Sequence, residues 1–282
     1  MRTMLKWGVA ACLVGMLASC GNKGGGGTDG GPNPPGGGGG SGTVQPGVVK
    51  GRVVDTRGQP LEGAVIYTAL SLNNGVPGST RTDAQGNYQM SKLALDVPYR
   101  LYAWLGVDYR GKKFCLRIAP ETSADYEPYL VREGAVRNFR WKLQGRIEDS
   151  DYAPDDDGAW FGGTIRLFPA FDDGDYNSII ELTMTPTGPL IDGSTGAVLT
   201  KTVELQKTTY VLDIPAGAYK VTATRVKSDG TRMPARVGRS FTELSSETEF
   251  EFDPVPIEPI ECGRFTGELS GLSRGFLYVN SP

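Results

Sequence analysis

The side chains of this chain that can do chemistry are carboxylates and cysteines, because histidine is absent from all 282 residues. That removes Ser-His-Asp and Cys-His triads, a histidine general base and a His-ligated zinc site. Carboxylate-pair acid–base work and all-oxygen metal sites remain. Asp83 stands in TRTDAQGNYQM, residues 80–90, with Gly86 and Tyr88 close behind. It is a catalyst, a ligand or a turn-former. Two acidic runs flank one expected strand: Asp149, Asp151, Asp155, Asp156 and Asp157 before it, and Asp172, Asp173 and Asp175 after it. Calcium takes six to eight oxygens, and Asp151, Asp155, Asp156 and Asp157 are its candidate ligands. Neither run matches an EF-hand loop, and the other reading of both is solvated loops. Strand length sets the runs at opposite ends, so they do not form one site. No other cofactor is implied.

The first residues, MRTMLKWGVAACLVGMLASCGN, have a basic start (Arg2, Lys6) and an apolar stretch from Trp7 to Leu17. That stretch is too short for a stable bilayer span. It ends in Leu17-Ala18-Ser19-Cys20-Gly21, which resembles a bacterial lipobox. The resemblance implies a signal peptide over 1–19, cleavage before Cys20 and lipidation of that cysteine. Gly21, with no aspartate there, points by analogy to the outer membrane. Acyl chains anchor at about 0.8 kcal/mol per buried methylene. Residues 20–47 follow as a lipidated cysteine and Gly/Pro-rich tether, whose glycine runs cannot bury enough to offset their ordering entropy. Its r.m.s. reach is about 28 Å. Net charge is −3 for the whole chain, and 27 basic against 32 acidic residues, −5, without the leader. That balance argues against nucleic acid as a partner.

Turn residues then break β-branched runs. Val49 to Val54, Ala64 to Tyr67, Thr80 to Tyr88 and Tyr99 to Leu105 read as strands and turns. Val49, Gly51, Val53, Asp55, Gly58, Pro60, Leu61, Gly63, Ala64, Ile66, Thr80, Thr82, Asp83, Gly86 and Tyr88 follow one ordered pattern. The pattern resembles the carboxypeptidase regulatory-like domain, a small transthyretin-like β-sandwich. The match covers about 48–108 and fades after Tyr109; Val65 takes the place where the family usually has the second apolar residue. The resemblance implies that Asp83 and Gly86 form a hairpin turn, that Tyr88 packs inward, and that the domain carries no catalytic residues. Asp83 then accepts backbone N–H bonds as an Asx-turn, and Gly86 supplies a positive φ.

The expected domains are a carboxypeptidase regulatory-like sandwich over 48–145, with VRNFRWKLQG as its final strand, an acidic linker over 146–162, an immunoglobulin-like sandwich over 163–253, and a Pro-rich segment with a C-terminal hairpin over 254–282. The second sandwich rests on strands at Thr164–Pro169, Ser178–Thr185, Val198–Gln206, Thr209–Ile214, Tyr219–Lys227, Arg236–Thr242 and Glu247–Phe252. The hairpin rests on Arg264–Leu269 and Gly275–Val279. Cys115 and Cys262 form a disulfide or stay as two buried thiols; an oxidising compartment permits the bond. Tyr102 and Trp104 share one face of a strand. They form an outward platform for a glycan, or the second domain or the 110–140 segment covers them. The expected fold class is all-β, two sandwiches after a disordered tether. The expected function is a non-enzymatic interaction or structural module of the bacterial envelope, with another envelope protein as partner; a carbohydrate-binding surface lipoprotein is the alternative.

Overall fold

Apolar alternation and turn residues decide the strands. In the computed structural model, which describes residues 43–70, 78–150, 152–153, 157–256, 262 and 270–281, two β-sandwiches follow one another within the unit 38–282. The first, transthyretin-like, has β1 (Val49–Val54), β2 (Val65–Leu70), β3 (Gly78–Arg81), β4 (Asn87–Met90), β5 (Pro98–Tyr109), β6 (Lys112–Pro120), β7 (Tyr129–Leu130), β8 (Ala135–Val136) and β9 (Phe139–Arg140). The second has β10 (Gly163–Ala170), β11 (Ile179–Pro186), β12 (Leu199–Glu204), β13 (Tyr210–Ile214), β14 (Ala218–Val226), β15 (Arg232–Gly238), β16 (Thr248–Glu251) and β17 (Gly275–Asn280).

The first ladder runs β3-β2-β5-β6-β9-β1-β4, with β7 on β5 and β8 on β1. β3 and β4 lie at opposite ends of it. The Asp83 turn between them is therefore an arch from one side of the sandwich to the other, and not the expected hairpin. Val49, Val53, Ile66, Leu101, Ile118 and Phe139 fill the core between the two sides. Gly51 is required there, because a Cβ would sit 1.7 Å from the Arg137 carbonyl oxygen. That same oxygen accepts the Tyr88 hydroxyl at 2.6 Å. Phe139–Arg140 closes the ladder between β1 and β6, the final strand foreseen in VRNFRWKLQG.

The second ladder runs β12-β11-β14-β15-β17-β10-β13, with β16 on β14. Two elements differ from expectation. Arg236–Thr242 was the expected strand, but β15 starts earlier. It leaves a tight turn at Gly230 (φ +86) and ends where residues 243–244 fold over Gly238. The expected C-terminal hairpin is also absent from Gly275–Asn280. β17 inserts between β10, to which it is parallel, and β15, to which it is antiparallel. It buries Leu277 and Val279 in the core beside Ile165 and Leu167. Residues 264–269, the other half of that hairpin, lie outside the described residues.

The segment 146–162 packs as more than a linker. Ile147 donates its N–H to Ala159, Phe161 donates to Gly145, and Ile147 and Phe161 pack with Ala119. Asp213 ties this segment down. Its carboxylate accepts the N–H of Gly145 at 3.0 Å and of Gly162 at 3.2 Å. Its backbone is left-handed at φ +57, and burial raises its pKa. Other bonds join the sandwiches: Tyr109 Oη donates to the Pro189 carbonyl (2.8 Å), Thr56 Oγ1 to Asp192 (2.7 Å) and Arg110 to Glu251 (2.9 Å).

A raised folded pKa means that the Asp213 charge costs stability as pH rises through that pKa, and that the cost fades as pH falls. Asparagine keeps an acceptor and tolerates the left-handed backbone. Asp213→Asn is expected to match or exceed the wild type in urea denaturation at pH 7. Asp213→Ala orphans two donors and is expected to lose about 1–3 kcal/mol.

Candidate functional site

Asp83 is a turn-former. Its Oδ1 accepts the N–H of Gln85 at 2.9 Å and of Asn87 at 2.8 Å. Gly86 has φ +76, and a Cβ there would lie 2.4 Å from the Val53 carbonyl oxygen. Asp55 repeats the device on Arg57 and Gln59. Both carboxylates hold backbone N–H groups.

The candidate calcium ligands Asp151, Asp155 and Asp156 lie outside the described residues, as does the side chain of Asp157. Among the described residues no group of three or more acidic or cysteine side chains could hold a metal. Asp149, from the same run, is buried against Arg117, whose Nη2 donates to Oδ1 at 2.7 Å and Oδ2 at 2.8 Å. The second acidic run is a structural ion-pair cluster where solvated loops were the alternative expected. The guanidinium of Arg225, fully buried, donates to Asp173 Oδ1 (2.8 Å), the Asp175 carbonyl (3.0 Å), Ser178 Oγ (2.8 Å) and Ser281 Oγ (2.6 Å). It also stacks 3.7 Å from the Phe171 ring centroid. The Arg225 hydrogen bond holds Asp173 well below the usual carboxylate range.

Cys20, the lipidation candidate, lies outside the described residues. Cys115 and Cys262 are joined in a disulfide with Cα atoms 5.3 Å apart. This bond explains the fate of Tyr102 and Trp104. They form no outward platform: Trp104 is fully buried and Tyr102 nearly so. They pack with Tyr67, Ala69 and Cys115 on the second face of the first sandwich. Trp104 Nε1 donates to Tyr67 Oη at 3.0 Å, and the Arg117 guanidinium lies 5.1 Å from the Tyr102 ring. The cover comes from the expected 110–140 segment, through Cys115 and Arg117 of β6, and from Cys262 of the C-terminal segment, a cover the sequence did not suggest. Cys262 reaches Gly106, the Ser270 carbonyl accepts the Arg117 N–H, and Gly271 sits on the Cys115 carbonyl.

An exposed aromatic face lies elsewhere, on the second sandwich. Register places Arg166 beside Tyr210 and Phe276, Phe168 beside Tyr278, and Asn280 beside Arg236. These side chains point away from Ile165, Leu167, Leu277 and Val279. Phe168 lies 5.9 Å from Phe276 and 5.1 Å from Tyr278; Phe241, from the loop after β15, meets Tyr278 edge-on at 4.4 Å. Arg166 lies 5.1 Å from the Phe168 ring, and Arg274 lies 5.4 Å from the Tyr210 ring. Phe276 is 42% exposed and Phe241 53% exposed. None of these positions is acidic. The signal was present in GFLYVN and IRLFPA, where aromatic and arginine residues alternate with the buried aliphatic ones.

Residues 48–109 match the model of the carboxypeptidase regulatory-like domain. The first sandwich contains that domain. Its matched segment ends with β5, and β6 to β9, beyond the match, complete the sandwich. No curated protein sequence matches the chain significantly. Solved structures similar to it include the Bacillus anthracis TIE protein, at 11% identity and TM-score 0.33, covering 84% of this chain and 34% of that one. A single B repeat unit of the Staphylococcus aureus collagen-binding surface protein follows, at 8% identity and TM-score 0.23, covering 85% and 100%. A streptococcal ancillary pilin is at 11% identity and TM-score 0.25, covering 83% and 62%. The chain thus spans about a third of the TIE chain it matches. Likeness of this size identifies neither a partner nor an assembly.

Asp173 has a depressed folded pKa, so the stability it supplies is present above its ordinary value of 3.8 and lost as pH falls below it. The melting temperature of the wild type is expected to fall steeply between about pH 4 and pH 2, where carboxylates such as this one take up protons. Asp173→Asn is expected to start lower at pH 7 and to show a shallower fall. Parallel curves for the two proteins contradict this.

Proposed function

We propose that this protein is a non-enzymatic interaction module of a bacterial cell envelope. Acyl chains on Cys20 hold it to the outer membrane, the glycine-rich tether gives it reach, and the two sandwiches present a rigid contact surface. The observation that carries the reading is the exposed row of Phe168, Phe276, Tyr278 and Phe241, with Arg166 stacked against it. Aromatic residues and arginine are enriched where protein partners meet, and acidic residues are depleted there. Contiguous exposed apolar surface marks an interaction site. Its place on a packed sheet means that little ordering entropy is lost on contact. The absence of histidine and the structural use of Asp83, Asp149, Asp173 and Asp213 support the non-enzymatic part.

A glycan is the second reading of this same face. Rings in a row offer stacking surface, and Asn280 Oδ1, buried at the end of the row, has no hydrogen-bond partner.

The full-length protein, extracted in mild detergent, is expected to co-purify with one envelope protein in stoichiometric amount. Phe276→Ser with Tyr278→Ser is expected to lower that recovery more than tenfold while the melting temperature shifts little, because both side chains face outward. Unchanged recovery by the double variant removes the face from the interaction. Retention on a polysaccharide resin, lost in the same variant and with no protein recovered, selects the glycan reading.

A further inference from the structure

A separate surface on the first sandwich carries unbalanced charge. Lys50 and Arg52 on β1, Asn87 and Gln89 on β4, and Arg81 at the end of β3 line a cleft of about 450 Å³. Lys50 pairs in register with Gln89 and Arg52 with Asn87. Paired residues share a face, so these four project together, away from the core residues Val49 and Val53. A cleft of this size takes a small ligand or the end-group of a larger one.

Lys50, Arg52 and Arg81 are the three cations of this cleft. Among the described residues none of them forms an ion pair. The buried arginines elsewhere are neutralised, Arg117 by Asp149 and Arg225 by Asp173. Arg52 Nε is buried with no acceptor; its backbone N–H donates to Asn138 Oδ1 at 3.0 Å. Arg81 uses one Nη1 donor on the Gly63 carbonyl at 3.1 Å. Asp83 also lines the cleft, and its Oδ1 is occupied by the N–H groups of Gln85 and Asn87. Three positive charges thus face one carboxylate, an excess of two.

We propose that this cleft binds a phosphate monoester. Such a group carries about −1.5 to −2 charge at neutral pH with three acceptor oxygens. It balances the excess in one compact unit, whereas a monocarboxylate leaves a cation uncompensated. Guanidinium forks bind its oxygens in pairs, and the lysine adds a point charge. The Asn87 and Gln89 amides are placed to reach the alcohol side of the ester. The site is independent of the aromatic face on the second sandwich.

The test is calorimetric titration of the full-length protein in nonionic detergent with glycerol 3-phosphate, and with glycerate as the matched monocarboxylate. Saturable binding of glycerol 3-phosphate is expected, at least tenfold tighter than glycerate and weakened by added salt. Arg81→Gln, at an exposed position where folding is not at stake, is expected to weaken it about tenfold, as is Arg52→Gln. Arg110→Gln, outside the cleft, is expected to leave it unchanged. No saturable binding, equal affinity for glycerate, or full affinity in Arg81→Gln overturns the proposal.

Discussion

The bond between Cys115 and Cys262 is the constraint on which the architecture turns. It ties the C-terminal segment to β6 of the first sandwich across a sequence separation of 147 residues. Cys262 packs against the cluster of Tyr67, Tyr102 and Trp104, and β17, later in the same C-terminal part, lies in the second sandwich. The C-terminal part of the chain therefore meets the first sandwich at Cys262, Ser270 and Gly271 and completes the sheet of the other. Closing so long a loop removes much freedom from the unfolded chain, and a cross-link of this span is worth several kcal/mol in the chain-entropy account. With Asp213 and the Tyr109–Pro189 bond, it makes two sandwiches into one contact unit.

Most of the fold was legible in the sequence. Alternation located nearly every strand, because residues that face a core must repeat every second position. The Asp83–Gly86 turn was legible because its side-chain chemistry is local. Pairing was not. Nothing within residues 80–90 says whether the strands beside the turn join each other or opposite sides of a sandwich. Likewise, the alternation in GFLYVN reads the same for an edge hairpin and for an interior strand parallel to β10. Partners distant in sequence decide both.

The candidate sites show the same division. Asp83 was readable as a turn because its partners lie two and four residues away. For Tyr102 and Trp104 both a platform and a covered face stayed open, because alternation shows that they leave the first core and cannot show what packs on them. The role of Arg225 was hidden for the same reason: its partners Asp173, Ser178 and Ser281 lie about 50 residues away on either side. The aromatic face needs β10, β13, β15 and β17 side by side, an order that only the ladder shows.

The charges of the chain are thus sorted by place. Arg117 and Arg225 are paired, Asp149, Asp173 and Asp175 serve as braces, and an aromatic row and a cationic cleft lie at the surface. The measurement that tests the account most directly is photo-cross-linking in intact cells from a benzophenone side chain at position 276, beside one at position 113, an exposed position on β6 of the first sandwich. The account predicts a single discrete protein adduct from position 276 and none from position 113. No adduct at 276, or the same adducts from both positions, would contradict it.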